Sequence, residues 1–220
     1  MTIFSIDTVF LTIGGYPLSY IEFTGTVLYF LSVFLISRKN IITWPIGIVS
    51  VILYFILFYQ IRLYSDMLEQ VYYFVISIAG WITWHKKRNE QSDKKIQTSW
   101  SNKKGILLGV LVTLAASGLL LFCTYNFHNW FPAIFPEAAS FPVLDSLTTV
   151  MSFVAMYLTT IRRNEGWIYW IIVDIIAIWL YWVKDIRFIS IQYVFLLIMA
   201  IYGFINWMNV WKKSNQSSYQ

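Results

Sequence analysis

The feature that most constrains this chain is an internal repeat. A shift of 123 positions aligns residues 22–84 with residues 145–207 without a gap, and 13 of the 63 aligned positions are identical. Two of the identical positions pair tryptophan with tryptophan, although the composition predicts only about 0.2 such pairs by chance. An internal repeat of this kind indicates a fold built from two copies of one unit. The matches that matter here are Trp44 with Trp167, Trp84 with Trp207, Gly80 with Gly203, and the acidic pair Glu22 with Asp145.

The composition places the repeated unit in a membrane. Of the 220 residues, 58% are hydrophobic and only 12% are charged, which is too apolar for a soluble globular domain. Both copies contain long apolar runs, and a duplicated helical bundle in a membrane commonly holds a solute site between its copies. The sequence therefore predicts a transporter surrounded by the lipid bilayer. The net charge of +5 does not indicate a nucleic-acid partner, because the basic residues lie between the apolar runs.

Seven apolar runs are long enough, or nearly so, to cross a hydrocarbon core of roughly 30 Å as helices. They lie at residues 19–37, 43–61, 67–85, 104–124, 143–161, 166–183 and 188–211. We predict an all-α membrane protein with seven transmembrane helices in a 3+1+3 arrangement of two parallel three-helix repeats. The predicted segments are an interfacial N-terminal segment at 1–18 containing a short helix, the first repeat at 19–85, a basic cytoplasmic linker at 86–103, a linker helix at 104–124, an extracytoplasmic loop at 125–142, the second repeat at 143–211, and a cytoplasmic tail at 212–220 that is irregular after Lys213.

Lysine and arginine are distributed unequally between the two sides of the predicted bundle. If the linker is cytoplasmic, its side holds 13 of these residues, and the opposite side holds only Arg62, Lys184 and Arg187. Because positively charged loops stay in the cytoplasm, the N-terminus is predicted to lie outside and the C-terminus inside. The single linker helix inverts the chain, so both triplets should have the same orientation in the membrane.

A stripe of polar and aromatic residues on the sixth apolar run is the sharpest candidate for a solute site. Asp174 lies in the middle of this run, with Trp170 one helical turn before it and Tyr181 two turns after it. An intramembrane carboxylate costs about 2.5–3.5 kcal/mol on insertion scales, so it is a functional candidate by default. A carboxylate beside aromatic faces suits a cationic or hydroxyl-rich ligand. The structural alternative is that Asp174 forms an ion pair with Lys184.

Other polar and aromatic positions have structural explanations that stay open. Glu22 and Asp145 lie near the ends of their predicted helices, and Asp145 shares one helix face with Thr149. The two acids either have a role in transport or only hold their helices against neighbouring ones. Trp84 and Trp207 lie near the predicted cytoplasmic boundary, where tryptophan typically anchors a helix in the interface; Trp81 shares this position.

Signatures of an enzyme are missing from the sequence. It contains no H-E-x-x-H, G-x-S-x-G or phosphate-loop motif, and we predict neither catalysis nor a metal or cofactor. An intramembrane enzyme built on Asp145 and Asp174 remains an alternative, as does a ligand-sensing receptor.

The order of these motifs resembles the PnuC family of vitamin transporters. The segments that carry the resemblance are Trp44-Pro-Ile-Gly47, the run from Leu63 to Gln70, Gly80-Trp81-Ile-Thr-Trp84, Asp145 with Thr149, the run from Trp167 through Trp170 to Asp174, and Tyr181. The likeness covers roughly Tyr16 to Lys213. One departure is Asp185-Ile-Arg187-Phe188, which stands where the family more usually has a Gly-Leu-Tyr turn.

The resemblance implies a function and a set of site residues. PnuC proteins take up nicotinamide riboside across the bacterial inner membrane by facilitated diffusion, share the 3+1+3 plan of the SWEET sugar transporters, and form homo-oligomers, with trimers expected. A cytosolic kinase traps the substrate, and relatives carry thiamine or riboflavin. The implied substrate-binding residues are Trp44, Gly47, Gln70, Tyr73, Trp170, Asp174, Tyr181 and Asn206. The residues expected to have structural or gating roles are Glu22, Gly80, Asp145, Thr149, Trp167 and Gly203.

Overall fold

The protein consists mainly of α-helices, and most of them are long enough to cross a membrane. The computed structural model describes residues 4–13, 15–61, 64–90, 97–130, 141–184 and 187–217. Within these ranges the chain forms two short strands and seven helices. They are β1 (Val9–Ile13), β2 (Tyr16–Ser19), α1 (Tyr20–Ser37), α2 (Thr43–Gln60), α3 (Tyr64–Glu90), α4 (Lys103–Trp130), α5 (Pro142–Thr160), α6 (Glu165–Val183) and α7 (Arg187–Ser217).

The sequence repeat is also a repeat of secondary structure. When α1, α2 and α3 are shifted by 123 positions, each begins within one residue of α5, α6 and α7, respectively. The ends of α1 and α2 then coincide with the ends of α5 and α6. The two copies therefore share their helix boundaries although only 13 of 63 positions are identical.

The turns after α1 and α5 have the same backbone geometry. Lys39 and Arg162, which are matched by the shift, have positive φ angles of 59° and 64°. In the first turn the N–H of Lys39 donates to Ile36, and the next N–H donates five residues back to Leu35, at 2.9 Å each. The second turn repeats this pattern at 3.0 and 2.8 Å. Both are Schellman motifs, in which a basic residue occupies the left-handed position that glycine usually takes.

The short helix expected before residue 19 is not formed by the described residues of this segment. Residues 9–13 and 16–19 instead form an antiparallel hairpin. The segment contains β-branched Val9, Thr12 and Ile13, which favour extended backbone. Gly15 has a φ of 89°, which lets the chain reverse there at little steric cost.

The helices extend further than their apolar runs. Helix α4 continues to Trp130 instead of ending near 124, and α7 continues to Ser217, so the irregular tail predicted after Lys213 is wrong for residues 214–217. Hydropathy marks the part of a helix that crosses the membrane, whereas the hydrogen-bonded helix continues into polar sequence. Residues 91–96 and 131–140, in the predicted linker and loop, and residues 185–186 of the departing turn lie outside the described part of the chain.

Six of the seven helices are long and apolar enough to cross a membrane. Within the residues that the structure describes, α3 does not reach the same apolar content, since Asp66, Glu69 and Gln70 stand in its first turns. The prediction of an all-helical, multi-pass membrane protein is confirmed at this level.

The chain divides into two compact units. The first extends to Gln97 and also includes the segment from Tyr202, and the second is Thr98–Ile201. In the first unit α1 packs on α2 and α2 on α3; in the second, α4 packs on α5 and α5 on α6.

Candidate functional site

The predicted substrate-binding residues fall in both units. The first unit contains Trp44, Gly47, Gln70, Tyr73 and Asn206, and the second contains Trp170, Asp174 and Tyr181. The second set occupies one stripe of α6, with spacings of four and seven residues.

Asp174 is a buried carboxylate in the middle of a spanning helix. Its side chain and backbone together are only 3% exposed, and its neighbours Val173 and Ala177 are buried apolar residues. Among the residues that the structure describes, none donates a hydrogen bond to this carboxylate or forms an ion pair with it. Trp170, one turn earlier, is half-buried. Burial of an acid without a partner is expensive in stability, which favours a functional reason for its presence.

The ion pair proposed between Asp174 and Lys184 is wrong. The ammonium of Lys184 instead lies 3.2 Å from Oδ1 of Asp145 and 3.4 Å from its Oδ2. Lys184 follows Asp174 by ten residues, which is about 15 Å along a helix, so the side chain cannot reach back to it. Lys184 therefore leaves Asp174 available for a ligand.

Tyr181, at the far end of the stripe, stacks on Tyr193 of α7. The two ring centroids are 5.4 Å apart and the rings are nearly parallel, at 13°. The side chain is half-buried. The ammonium of Lys184 also lies over the Tyr181 ring, 5.9 Å from its centroid.

The first unit contains a buried tryptophan cluster. Trp44 is 1% exposed and meets the ring of Trp84 edge to face, with centroids 5.2 Å apart. Trp84 in turn lies 6.1 Å from Trp207, and both are 0% exposed. The interpretation of Trp84 and Trp207 as interfacial anchors is therefore wrong, because sequence position near a boundary does not show which helix face is buried. Trp81, by contrast, is exposed.

Gly80 makes room for this cluster. A Cβ atom built on Gly80 would overlap the six-membered ring of Trp44. The side chain of Trp44 thus packs directly on the backbone of α3, and its buried indole N–H has no hydrogen-bond partner among the described residues. The predicted structural role of Gly80 has a clear basis here, and Trp44 is a core residue in this conformation.

The other candidates of the first unit are engaged in local contacts. A Cβ on Gly47 would lie 2.9 Å from Oγ of Ser32, so Gly47 allows α1 and α2 to approach closely. The amide of Gln70 donates to the carbonyl of Asp66 at 3.3 Å, and the ring of Tyr73 meets that of Tyr72 at 5.5 Å.

Asn206 and Trp207 bind the carboxyl end of α1. The amide nitrogen of Asn206 donates to the carbonyl of Ser37 at 2.9 Å, and the indole of Trp207 donates to the carbonyl of Ile36 at 3.1 Å. These carbonyls are among the last four of the helix, which have no partner within it. One N–H of the Asn206 amide is therefore used for structure, which leaves its second N–H and its carbonyl oxygen for other contacts.

The matched acids Glu22 and Asp145 both make side-chain contacts near the start of their helices. The hydroxyl of Tyr16 donates to Glu22 at 2.8 Å, and Lys184 pairs with Asp145. Burial, followed by the hydrogen bond and charge of Glu22, raises the pKa of Tyr16 to about 12. The remaining predicted structural or gating positions are Thr149, which is half-buried, and Trp167 and Gly203, which are buried.

Sequence reasoning missed a cluster of buried polar residues in the turn between α5 and α6. Arg162 is 5% exposed and Asn164 is 0% exposed. Burial, and then the charge of Arg163, lowers the pKa of Arg162. The count of basic residues by side included these arginines only as charges on the cytoplasmic side. The detectable signal was that the turn Arg-Arg-Asn-Glu replaces Lys-Asn-Ile-Ile of the first copy.

A short segment of the predicted linker covers this turn. The N–H of Ser99 donates to Arg162 at 3.1 Å, and the N–H of Asn164 donates to Ser99 at 2.9 Å. Arg163 donates to Oγ of Ser99 and to the carbonyl of Trp100, at 2.8 Å each. Glu165 accepts the N–H of Ser101 at 3.1 Å. We call residues 98–101 the strap.

An apolar groove of about 480 Å³ lies between α4 and the start of α5. Its lining consists mainly of apolar side chains, including Leu121, Phe122 and Val143. None of the predicted site residues lines it, and its chemistry does not suit a cation.

The repeated apolar helices and the buried, unpaired acid of α6 define the chain as a multi-pass membrane transporter. It belongs to the family described as nicotinamide mononucleotide transporters, because the model of that family matches residues 19–209.

Individual relatives agree with this family. The chain is 29% identical over 230 residues to the nicotinamide riboside transporter PnuC of Escherichia coli (strain K12), a match that covers 95% of both proteins. It is 24% identical over 199 residues to the riboflavin/roseoflavin transporter RibM of Streptomyces davaonensis, covering 90% of this chain and 87% of that protein. The crystal structure of the vitamin B3 transporter PnuC has the same fold, with a TM-score of 0.67 and 24% identity over 88% of this chain and 83% of that one. The resemblance to PnuC transporters, and the prediction of a transporter instead of an enzyme, are confirmed.

Proposed function

We propose that this protein carries nicotinamide riboside across a bacterial inner membrane by facilitated diffusion. The observation that carries the proposal is the buried carboxylate of Asp174, which has no partner among the described residues and stands one turn after Trp170. The family membership and the PnuC relatives supply the class of substrate.

The chemistry of the ligand matches that of the stripe. Nicotinamide riboside has a flat cationic pyridinium ring, which can stack on an indole and gain about 0.5–2 kcal/mol from the cation–π interaction. A carboxylate can accept two ribose hydroxyls or balance the ring charge, and charge-assisted hydrogen bonds of this kind are roughly twice as strong as neutral ones. Trp170 and Asp174 provide both groups on one face of α6.

The same carboxylate disfavours the phosphorylated form of this substrate. A phosphate monoester carries about −1.5 to −2 charges at pH 7. Its repulsion from a buried acid acts over several ångströms where water is scarce. Although the family is described by the mononucleotide, we expect the unphosphorylated riboside to bind more tightly.

The proposed mechanism is alternating access between two parallel repeats. α1–α3 and α5–α7 would form the triplets of a 3+1+3 bundle, joined by α4, with the N-terminus outside and the C-terminus in the cytoplasm. Trp44, Gly47, Gln70, Tyr73, Tyr181 and Asn206 would complete the cavity. The protein would work as a homotrimer, and a cytosolic kinase that phosphorylates the substrate would maintain the inward gradient.

A second candidate is the transport of riboflavin or thiamine. The riboflavin transporter among the relatives matches nearly the whole chain, which favours this alternative. Riboflavin is uncharged, so Asp174 could bind it only through the hydroxyls of its ribityl chain, whereas nicotinamide riboside and thiamine are both cations. Charge alone therefore separates riboflavin from the other two, and direct binding must separate those.

A titration of the purified protein with four ligands tests the proposal. Nicotinamide riboside should bind at least tenfold more tightly than nicotinamide mononucleotide, thiamine or riboflavin in calorimetry at fixed ionic strength. Tighter binding of one of the other three would replace the proposed substrate by that compound.

The energetics need a separate experiment. In proteoliposomes held at zero membrane potential, labelled substrate should equilibrate to equal concentrations inside and outside, with or without a concentration gradient of an ion, because a potential would by itself accumulate a cation. Accumulation of unmodified substrate above the outside concentration at zero potential, abolished when an ionophore removes the ion concentration gradient, would contradict facilitated diffusion.

A further inference from the structure

The turn between α5 and α6 holds buried hydrogen-bond donors that have no acceptor. Nε and Nη1 of Arg162, Nε of Arg163 and the amide nitrogen of Asn164 are all buried and unpartnered among the residues that the structure describes, as is the amide oxygen of Asn164. Nearly every buried donor in a folded protein has a partner. Several orphaned donors in three consecutive residues therefore indicate an absent acceptor.

The charge of the two arginines favours an anion as the missing partner. No carboxylate in the described part of the chain forms an ion pair with Arg162 or Arg163. Glu165, the nearest acid in sequence, is buried and accepts the backbone N–H of Ser101 instead. Burial and the adjacent positive charge both disfavour the ionised form of Arg162. A guanidinium held away from water is stabilised only when a negative charge and matching acceptors accompany it.

The matched turn of the first copy does not present this arrangement. Lys39 has the same left-handed backbone as Arg162, but it is followed by Asn40 and two isoleucines instead of Arg, Asn and Glu. The side chain of Asn40 caps the turn by accepting the N–H of Ile42 at 3.0 Å. The donors of the second turn are thus not a requirement of the Schellman geometry, since the first turn forms without them.

We propose that the α5–α6 turn is a binding site for a phosphate-class oxyanion, held by Arg162, Arg163 and Asn164 and covered by the strap. Guanidinium groups present paired N–H donors that match the oxygens of a phosphate. Arg163 already fixes the strap through Ser99 and Trp100, so the anion enters when residues 98–101 lift and is enclosed when they return. The inference does not depend on which vitamin crosses the membrane.

Thermal unfolding of the whole protein with inorganic phosphate tests the site. In detergent, at constant ionic strength set with chloride, the unfolding midpoint should rise with phosphate concentration and follow the linkage expected for one site. Arg162→Gln should weaken the apparent phosphate affinity at least tenfold. Lys39→Gln, at the matched position of the first copy, should leave it within twofold. Equal phosphate dependence in both variants would overturn the proposal.

Two further arms keep the test decisive. The oxyanion is either free phosphate or a lipid headgroup, so delipidated protein is titrated separately with inorganic phosphate and with phosphatidylglycerol. A saturable response to either ligand that is lost in Arg162→Gln supports the site and identifies which of the two supplies the oxyanion. Should Arg162→Gln fail to fold, hydrogen exchange on the unaltered protein replaces it, and either ligand should slow exchange at Ser99 and Asn164. The absence of any effect of both ligands on stability and on exchange would exclude an oxyanion site.

Discussion

The two copies of the repeat share their helix boundaries and turn geometry but differ in chemistry. Val51 of the first copy stands where the second has Asp174, and Gly47 stands where it has Trp170. In the first copy the matched stripe of α2 serves close packing, with Gly47 against Ser32. In the second copy it carries an acid and a half-buried indole. The two copies therefore share a frame, and at these matched positions only the second copy carries the acid and the indole that we propose bind the solute.

The largest expected effect is on the acid that distinguishes the second copy. Asp174→Asn removes the negative charge but preserves the shape of the side chain. Hydrogen bonds to charged groups are worth about 1.5–3 kcal/mol, so the affinity for nicotinamide riboside should fall about ten- to hundredfold in a calorimetric titration.

The control for this prediction is the matched position of the first copy. Val51→Ala should change the affinity less than about threefold, because its apolar side chain offers the ligand only dispersion contacts. Both variants must elute and unfold like the unaltered protein. Unchanged affinity in a folded Asp174→Asn protein would remove this residue from the site.

A second prediction tests the packing frame of the first copy. Gly80→Ala should destabilise the protein by about 1–3 kcal/mol, because the added methyl group overlaps the buried ring of Trp44 and neither can move freely. In an unhindered helix the same change would stabilise by up to about 1 kcal/mol. The measurement is the free energy of unfolding in a detergent denaturation series.

Gly25→Ala is the matched test of a helical glycine with space. A Cβ there would lie 3.6 Å from Leu53, which is ordinary van der Waals contact. This variant should be neutral or slightly more stable. Equal stability of the Gly80 and Gly25 variants would show that the packing of Trp44 does not require a glycine at position 80.

Sequence reasoning predicted the fold to the level of its helices because apolar length and duplication are properties of the chain itself. The 123-residue shift placed Trp44 with Trp167 and Trp84 with Trp207, and the helices coincide under the same shift. The N-terminal hairpin was missed because its strands are only five and four residues long, too short for a clear alternating pattern.

The candidate site was predicted less completely because burial and pairing depend on which helix face packs. The apolar neighbours of Asp174 were enough to predict an acid in the middle of a spanning helix, and the side chain is buried there. Trp84 and Trp207 were assigned to the interface from their distance along the helix, but their faces turn inward. Arg162 was counted as a loop charge because hydropathy does not show that a folded segment, the strap, covers the turn.

A third, smaller prediction compares the left-handed residues of the two turns. Lys39→Gly should stabilise the protein by about 0.5–1 kcal/mol, because glycine removes a left-handed strain of about 1–2 kcal/mol while costing about 0.5–1 kcal/mol in chain entropy. Arg162→Gly gains the same backbone relief, so any difference between the two variants reports the side chains.

The pH dependence of Lys39→Gly provides a second readout. Burial lowers the pKa of Lys39, so the unfolded state binds more protons than the folded state between the two pKa values. The contribution of Lys39 to stability is therefore fully present above its ordinary pKa and is lost as pH falls through the folded value. The advantage of the glycine variant should shrink as pH rises through this window. An advantage that is constant with pH would assign the whole effect to the backbone.

The smallest expected effect concerns the matched acids at the starts of α1 and α5. Lys184 and Asp145 are 24% and 34% exposed at their side chains, and partly exposed ion pairs contribute about 0.2–1 kcal/mol. A double-mutant cycle of Asp145→Asn and Lys184→Gln should give a coupling in this range that decreases with added salt. The corresponding cycle of Glu22→Gln and Tyr16→Phe should be less sensitive to salt at neutral pH, since the Tyr16 hydroxyl is uncharged there. A normal coupling combined with loss of transport in Asp145→Asn would assign this pair to gating, and the two acids would then differ in function as the two stripes do.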